Sequence, residues 1–239
     1  INDLKTISSF IRKHNTALSI VDCVTSLGAC NVPVDEWELD IVASGSQKGY
    51  MIPPGLSFIA MSQKAWDAAE KSNLPKFYLN LKSYRKSLLS NSNPYTPAVN
   101  LVFALDESLK MMREEGLDNI FFRHNKHKLA ISNAVKALNL KLFADEKYLS
   151  PSITAVKTEE IDAEEFRKTI KNNFDILLAG GQDHLKGKIF RVGHLGYVND
   201  RDIITVVSAI SNTLLALGKI KAQQAGEALL VTSRYLKEN

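Results

Sequence analysis

The chain has 239 residues, 45% of them hydrophobic, enough to bury one large core or two modest ones. Its 30 Lys and Arg stand against 26 Asp and Glu, spread along the whole length, which falls short of the basic patch of a nucleic-acid binder and leaves small anions as candidate ligands. No uncharged apolar run approaches the about 20 residues of a membrane span, the opening INDLK lacks the pattern of a signal peptide, and two cysteines, Cys23 and Cys30, without a pairing framework or metal-like spacing point to a reducing, cytoplasmic setting.

Apolar residues at helical spacing (Leu4, Ile7, Phe10, Ile11) predict a helix over 4–15, followed by a continuously apolar strand at 18–22 that ends on Asp22. A short apolar strand after a helix predicts a parallel sheet covered on both faces. Residues 40–43 repeat that signal, and the turn that follows carries Lys48 at its mouth. After Pro53-Pro54-Gly55 a third strand, 57–61, comes too soon for a crossover helix and is predicted antiparallel to the second. Ser62 reads as the N-cap of the next helix. Residues 75–93, polar and aromatic, read as a surface excursion.

Pro97 then opens a long amphipathic helix reaching Met112, Gly116 is placed to end it, and a second helix spans 118–138. Beyond it, short strands near 140, 153–156, 176–179 and 188–192 alternate with helices near 163 and 201, the pattern of a smaller α+β unit. The expected architecture is α/β, with residues 1–115 forming the C-terminal part of a mainly parallel large domain and residues 116–239 a small C-terminal domain. Because the chain opens on Ile1 and its first helix would pack on a strand with nothing before it, an N-terminal part of the large domain is expected to be absent.

In an open α/β sheet Asp22 and Lys48 both fall at the carboxyl ends of neighbouring strands, where ligands bind. Read singly, Asp22 begins a turn, Lys48 is a solvated loop lysine, and Arg191 is a surface arginine at a strand end. The set is wider, however: VDCVTSLG at 21–28, DIVASGSQK at 40–48, Pro53-Pro54-Gly55, Tyr95-Thr96-Pro97, Gly180-Gly181 and FRVGHLG at 190–196. In this order over most of the chain, these residues resemble the class V aminotransferases, specifically their alanine/serine-glyoxylate (serine-pyruvate) branch.

The resemblance implies a fold type I transferase using pyridoxal 5′-phosphate. It makes Lys48 the lysine that carries the cofactor as a Schiff base and later moves the substrate's α-proton, and Asp22 the acid that keeps the pyridine nitrogen protonated. Val24 would pack under the ring, and Gln47 would hydrogen-bond near the phosphate. Thr96, with the adjacent Tyr95, would reach the phosphate of a partner subunit, which ties cofactor binding to a homodimer. Arg191 would clamp the α-carboxylate of the substrate. The implied activity is ping-pong transfer of an amino group from alanine or serine to glyoxylate or pyruvate. Other class V chemistry, such as phosphonate-amine transamination or a lyase reaction, remains an alternative. So does a non-catalytic fragment, because the family's phosphate-cradling glycine turn and ring-stacking aromatic belong to an earlier part of the fold. A desulfurase is disfavoured: its thiol nucleophile belongs in the later half of the chain, whereas Cys23 and Cys30 lie beside the early strand.

The stretch GGQDHLKGK at 180–188 fails the spacing of a nucleotide-binding phosphate loop and reads as a loop leading into the strand of Arg191. His124 and His127 lie in the basic run FRHNKHK at 122–128 and are expected to be solvated. His194, close to Arg191, is either structural or an influence on substrate choice. No metal-ligand constellation is present.

Overall fold

In the computed structural model, which describes residues 1–13 and 17–237, the chain divides within its fourth helix into two units. The first comprises residues 3–24 and 33–111; the second comprises 1–2, 25–32 and 112–239.

The first unit runs α1 (Leu4–Arg12), β1 (Ile20–Asp22), β2 (Ile41–Gly45), β3 (Ser57–Met61), α2 (Gln63–Lys71) and α3 (Leu81–Leu89) into the start of α4 (Val99–Glu115). Positions 14 and 15 of the predicted first helix lie outside the described residues. The sheet has the order β1-β2-β3, with β1 parallel to β2 in the register Asp22↔Ala43 and β3 antiparallel to β2. Asp40 fastens the amino ends of β1 and β2 and the carboxyl end of β3. It is 5% exposed, and its carboxylate accepts hydrogen bonds from the Ser19 N–H at 2.9 Å and the Ser62 hydroxyl at 2.8 Å. Its own N–H donates to Ser19 Oγ at 2.7 Å, and Ser62 caps α2 by accepting from Ala65 N. Burial works to raise the pKa of this carboxyl, but the Ser19 and Ser62 hydrogen bonds, together with nearby Lys64, outweigh it and hold the group below the usual carboxylate range. The surface excursion expected at 75–93 contains α3, capped by the Asn80 side chain on Lys82 N. None of its residues is buried, and its apolar set at helical spacing is short: Leu81, Tyr84 and Leu88.

The second unit holds the rest of α4, then α5 (Leu117–Ala137), β4 (Lys141–Leu142), β5 (Ile153–Lys157), α6 (Ala163–Phe174), β6 (Ala179–Gly180), β7 (Ile189–Gly193), α7 (Asp200–Ala216) and α8 (Ala222–Lys237). Gly116, at φ 82°, separates α4 from α5 in a backbone conformation that suits glycine. The sheet, ordered β4-β5-β7-β6, is antiparallel throughout. Alternation sorts its faces. Val156, Phe190 and Val192 enter the core with Ile131 and Val135 of α5, Phe166 and Ile170 of α6, and Ile203, Ile210 and Leu214 of α7. Ala155, Arg191 and Gly193 point to the opposite, open face.

The two histidines expected to be solvated are corrected by this core: His124 and His127 are both 0% exposed, as is His194. The cause is helical phase. Ile120, His124, His127, Ile131, Ala134 and Leu138 follow one another at steps of three and four, so both rings ride the buried stripe of α5 whatever their polarity. The His124 Nδ1–H donates to the Ile120 carbonyl at 2.7 Å while Nε2 accepts from the Gly196 N–H at 3.1 Å, so its hydrogen bonds are complete in the neutral form. His127 Nε2 meets Asp200 Oδ1 at 2.9 Å, and His194 Nε2 meets Thr154 Oγ1 at 3.0 Å. Arg123 completes the fastening, pairing with Glu115 and donating from Nη1 to the carbonyls of Gly196 and Val198 at 2.9 and 3.0 Å.

Candidate functional site

The carboxyl ends of β1 and β2 lie side by side, because the two strands are parallel neighbours. Asp22 is the last residue of β1. Its Oδ1 accepts from the Val24 N–H at 2.8 Å, an Asx turn that orients the carboxylate and leaves its other oxygen exposed at the strand end. Val24 follows in the turn, half-buried, and the Cys23 N–H bonds the Ala43 carbonyl at 2.8 Å, which prolongs the ladder between the two strands.

Lys48 stands three residues past the end of β2, half-buried in the turn 46–50. That turn is pinned by Ser46, which is 0% exposed. The Ser46 N–H donates to Leu56 O at 3.0 Å and its carbonyl accepts from Ile52 N at 3.3 Å. The Ser46 hydroxyl donates to Pro53 O at 2.8 Å and accepts from Leu56 N at 3.1 Å. The Pro-Pro-Gly segment is thereby tied back onto the start of the lysine turn. Tyr50, whose ring lies 4.5 Å from that of Phe58, holds the far end, with its carbonyl accepting from the Ser108 hydroxyl. Gln47 is exposed, and its Oε1 would lie 3.2 Å from a Cβ placed on Gly45, so the glycine leaves the carboxamide its space. Asp22, Val24, Gln47 and Lys48 therefore gather at one end of one sheet.

Ser46→Ala should cost about 0.5–1.5 kcal/mol, because it removes the hydroxyl's two part-buried hydrogen bonds, to Pro53 O and from Leu56 N. Urea unfolding of the variant beside the parent reads this directly, and equal midpoints would show that the hydroxyl does not pin the turn.

Tyr95 and Thr96 lie between α3 and α4. The Tyr95 hydroxyl donates to Phe77 O at 3.1 Å, and its ring belongs to an aromatic cluster with Phe77, Tyr78 and Tyr84, at centroid distances of 5.7, 4.9 and 6.1 Å. Thr96 is exposed beside it.

In the second unit Arg191 occupies the middle of β7 on the open face of the sheet, half-buried. Its cross-strand neighbours are Ala155 and Ala179, and a Cβ on Gly193 would meet nothing within 4 Å. Its Nε donates to Gly180 O at 2.8 Å. Ser46 and the Gly180 carbonyl were not singled out in the sequence. The one signal for Ser46 is its place between Gly45 and the lysine turn, and a backbone carbonyl leaves no residue-type signal.

Among the described residues no group of three His, Cys, Asp or Glu side chains could hold a metal ion, and no helix is long and apolar enough to cross a membrane.

Comparison with known proteins adds a lineage to this geometry. The family described as aminotransferase class-V matches residues 1–212. A protein of Synechococcus sp. (strain PCC 6716) named soluble hydrogenase, small subunit, is 56% identical over 218 residues, covering 91% of this chain and 57% of that protein. A serine–glyoxylate aminotransferase of Methylorubrum extorquens is 34% identical over 230 residues, covering 93% of this chain and 57% of that protein. The crystal structure of ureidoglycine–glyoxylate aminotransferase from Bacillus subtilis superposes with a TM-score of 0.89 at 32% identity, over 98% of this chain and 62% of that one. The chain thus spans 57% of the length of these two curated relatives.

Proposed function

The chain belongs to the class V aminotransferase family, whose cofactor is pyridoxal 5′-phosphate, and from that membership we propose that it moves an amino group from alanine or serine to glyoxylate or pyruvate by a ping-pong exchange. The observation that carries the reading is the adjacency of β1 and β2, parallel strands whose carboxyl ends bear Asp22 and, through the Ser46-pinned turn, Lys48. The donor set fits the cofactor, with a carboxylate for its ring nitrogen and an amine for its aldehyde.

Bound there, pyridoxal phosphate supplies the electron sink for the carbanion left when an amino acid loses its α-proton. Asp22, oriented by the Val24 N–H, would keep a proton on the ring nitrogen, since an adjacent anion favours the charged form. The Lys48 amine would hold the cofactor's aldehyde and would carry the substrate's α-proton, a service worth about 10²–10⁴-fold. Val24 would pack under the ring, and Gln47 would hydrogen-bond near the phosphate. Thr96, stiffened by Tyr95 in its aromatic cluster, reaches the phosphate of a second copy in a homodimer. Arg191 pairs both oxygens of the substrate's α-carboxylate through its two Nη groups, a bidentate geometry that a lysine ammonium cannot reproduce. The low cysteine content of the sequence suits a cytoplasmic enzyme.

The printed name of the Synechococcus relative supports a second reading, in which the chain is a subunit of a soluble hydrogenase. The purified protein, loaded with pyridoxal phosphate and offered serine or alanine with glyoxylate or pyruvate, separates the two. Glycine formed from glyoxylate, or alanine formed from serine and pyruvate, is the expected product. Hydrogen-driven dye reduction without transfer in any pairing would favour the second reading.

A further inference from the structure

We propose that Arg167 is a positioning residue for Arg191: its ion pair with Glu164 fixes the edge strand β6 so that the Gly180 carbonyl holds Nε of Arg191 and leaves both Nη groups for an α-carboxylate. This rests on the reading of Arg191 as the carboxylate clamp and extends it to a residue on the opposite face of the sheet.

The sheet order makes β6 an edge, and the strand is only two residues long, paired as Ala179↔Arg191 and Gly180↔Phe190. So short an edge has few ladder bonds to hold its place. Arg167, on α6, supplies others. Its Nε donates to Leu178 O at 2.7 Å, just ahead of the strand, and its Nη1 pairs with Glu164 Oε2 at 2.8 Å. The pair lies flat against the strand, for a Cβ on Gly180 would sit 2.5 Å from Arg167 Nη1 and 2.7 Å from Glu164 Oε1. Gly181 is seated as closely, since a Cβ there would come within 2.0 Å of the Leu185 carbonyl oxygen. Below the strand is a guanidinium–carboxylate pair; above it is Arg191.

On that upper face little else steers Arg191. Its cross-strand neighbours are alanines, which cannot wedge a guanidinium, and the bond from Nε to Gly180 O, at 2.8 Å, is the one hydrogen bond of its side chain among the described residues. A guanidinium held at Nε presents Nη1 and Nη2 end-on, the face that matches two carboxylate oxygens. A shift of the Gly180 carbonyl would swing that fork, so the grip of Arg167 on β6 reaches the substrate without touching it.

The test compares L-serine with ethanolamine, which is serine without its carboxylate, as amino donors to the cofactor-loaded protein in single turnover. Arg167→Met keeps the apolar stem and removes both polar contacts. It should lower the serine rate at limiting concentration about tenfold, mainly through weaker binding, and leave ethanolamine and the cofactor's visible band unchanged. Equal loss for both donors, or no loss for serine, would overturn the proposal. Gly180→Ala approaches from the other partner, forcing a Cβ into the ion pair, and should produce the same selective loss even if Arg167→Met fails to fold. Arg191→Ala in the same assay separates the two levels of the argument. A serine preference that survives Arg191→Ala sinks the clamp reading itself. A preference abolished by Arg191→Ala yet intact in both other variants sinks only the positioning role of Arg167.

Discussion

Lys48→Ala is expected to lose the visible absorbance of the lysine-bound cofactor and to slow amino transfer by at least about 10²–10⁴-fold, the usual worth of a positioned acid–base group. The loss should be chemical rather than structural. Lys48 is half-buried, and its turn is held by the hydroxyl, N–H and carbonyl of Ser46 and by Tyr50 against Phe58, none of which the substitution touches. Freed of cofactor, variant and parent should therefore melt together, while only the loaded parent shows the visible band. An absorbance scan of the loaded proteins and a thermal melt of the freed ones check both halves, and a variant that keeps the parent's visible band would remove Lys48 from the role assigned to it.

Acidification below pH 6.5 should unfold the second unit earlier than carboxylate titration alone would. Three imidazoles, His124, His127 and His194, are buried together, with Arg123 and Lys126 of α5, Glu115 of α4 and Asp200 of α7 as the charged groups that face them. Burial lowers the pKa of all three; in His194, with its two neighbouring imidazoles adding to the effect, the value falls to about 3. Asp200 pulls His127 the other way, but burial prevails there.

The sign follows from the proton count. In the folded unit the rings stay neutral, whereas the unfolded chain takes up protons below its ordinary histidine pKa, so the stability these groups permit is whole above pH 6.5 and drains away as the pH falls toward the lowered values. For His194, neutral down to about 3, the cost is about 1.4 kcal/mol per pH unit below 6.5, and His124 and His127 add to it in the same direction, against a total of about 5–15 for a typical domain. The geometry of His124 agrees with this direction, since a proton on Nε2 would face the Gly196 N–H. Urea unfolding at pH 7.5, 6.5 and 5.5 reads the slope, and His194→Gln should make it shallower. A stability unchanged between pH 6.5 and 5.5 would mean that the cluster admits protons without penalty.

What could be read in the sequence depended on whether a residue's type announced its environment. The continuous apolar runs before Asp22 and Lys48 mark buried strands, and the short span between β2 and β3 leaves no room for a crossover, so the sheet and the end at which both side chains stand were legible. Strand limits were less so: β1 begins at Ile20, past the apolar start at Leu18, because pairing with β2 rather than hydrophobicity decides where the ladder opens. His124 and His127 were misjudged from their basic neighbours Arg123, Lys126 and Lys128, when helical phase was the better guide. α8 had no counterpart in the sequence reading, although Ala225, Ala228, Leu229, Thr232 and Leu236 follow helical spacing along its inner face. The Gly180 carbonyl was beyond reach for a different reason: which edge carbonyl an arginine finds is set by tertiary neighbours.

Asp40 gives the first unit an asymmetry with a practical meaning. One carboxylate laces together the approach to β1, the start of β2 and the cap of α2, all at the rim remote from Asp22 and Lys48. The bracing and the proposed cofactor end are thus lodged at opposite margins of the same three strands. Position 40, whose carboxylate and N–H serve three elements at once, is where the scaffold has least latitude.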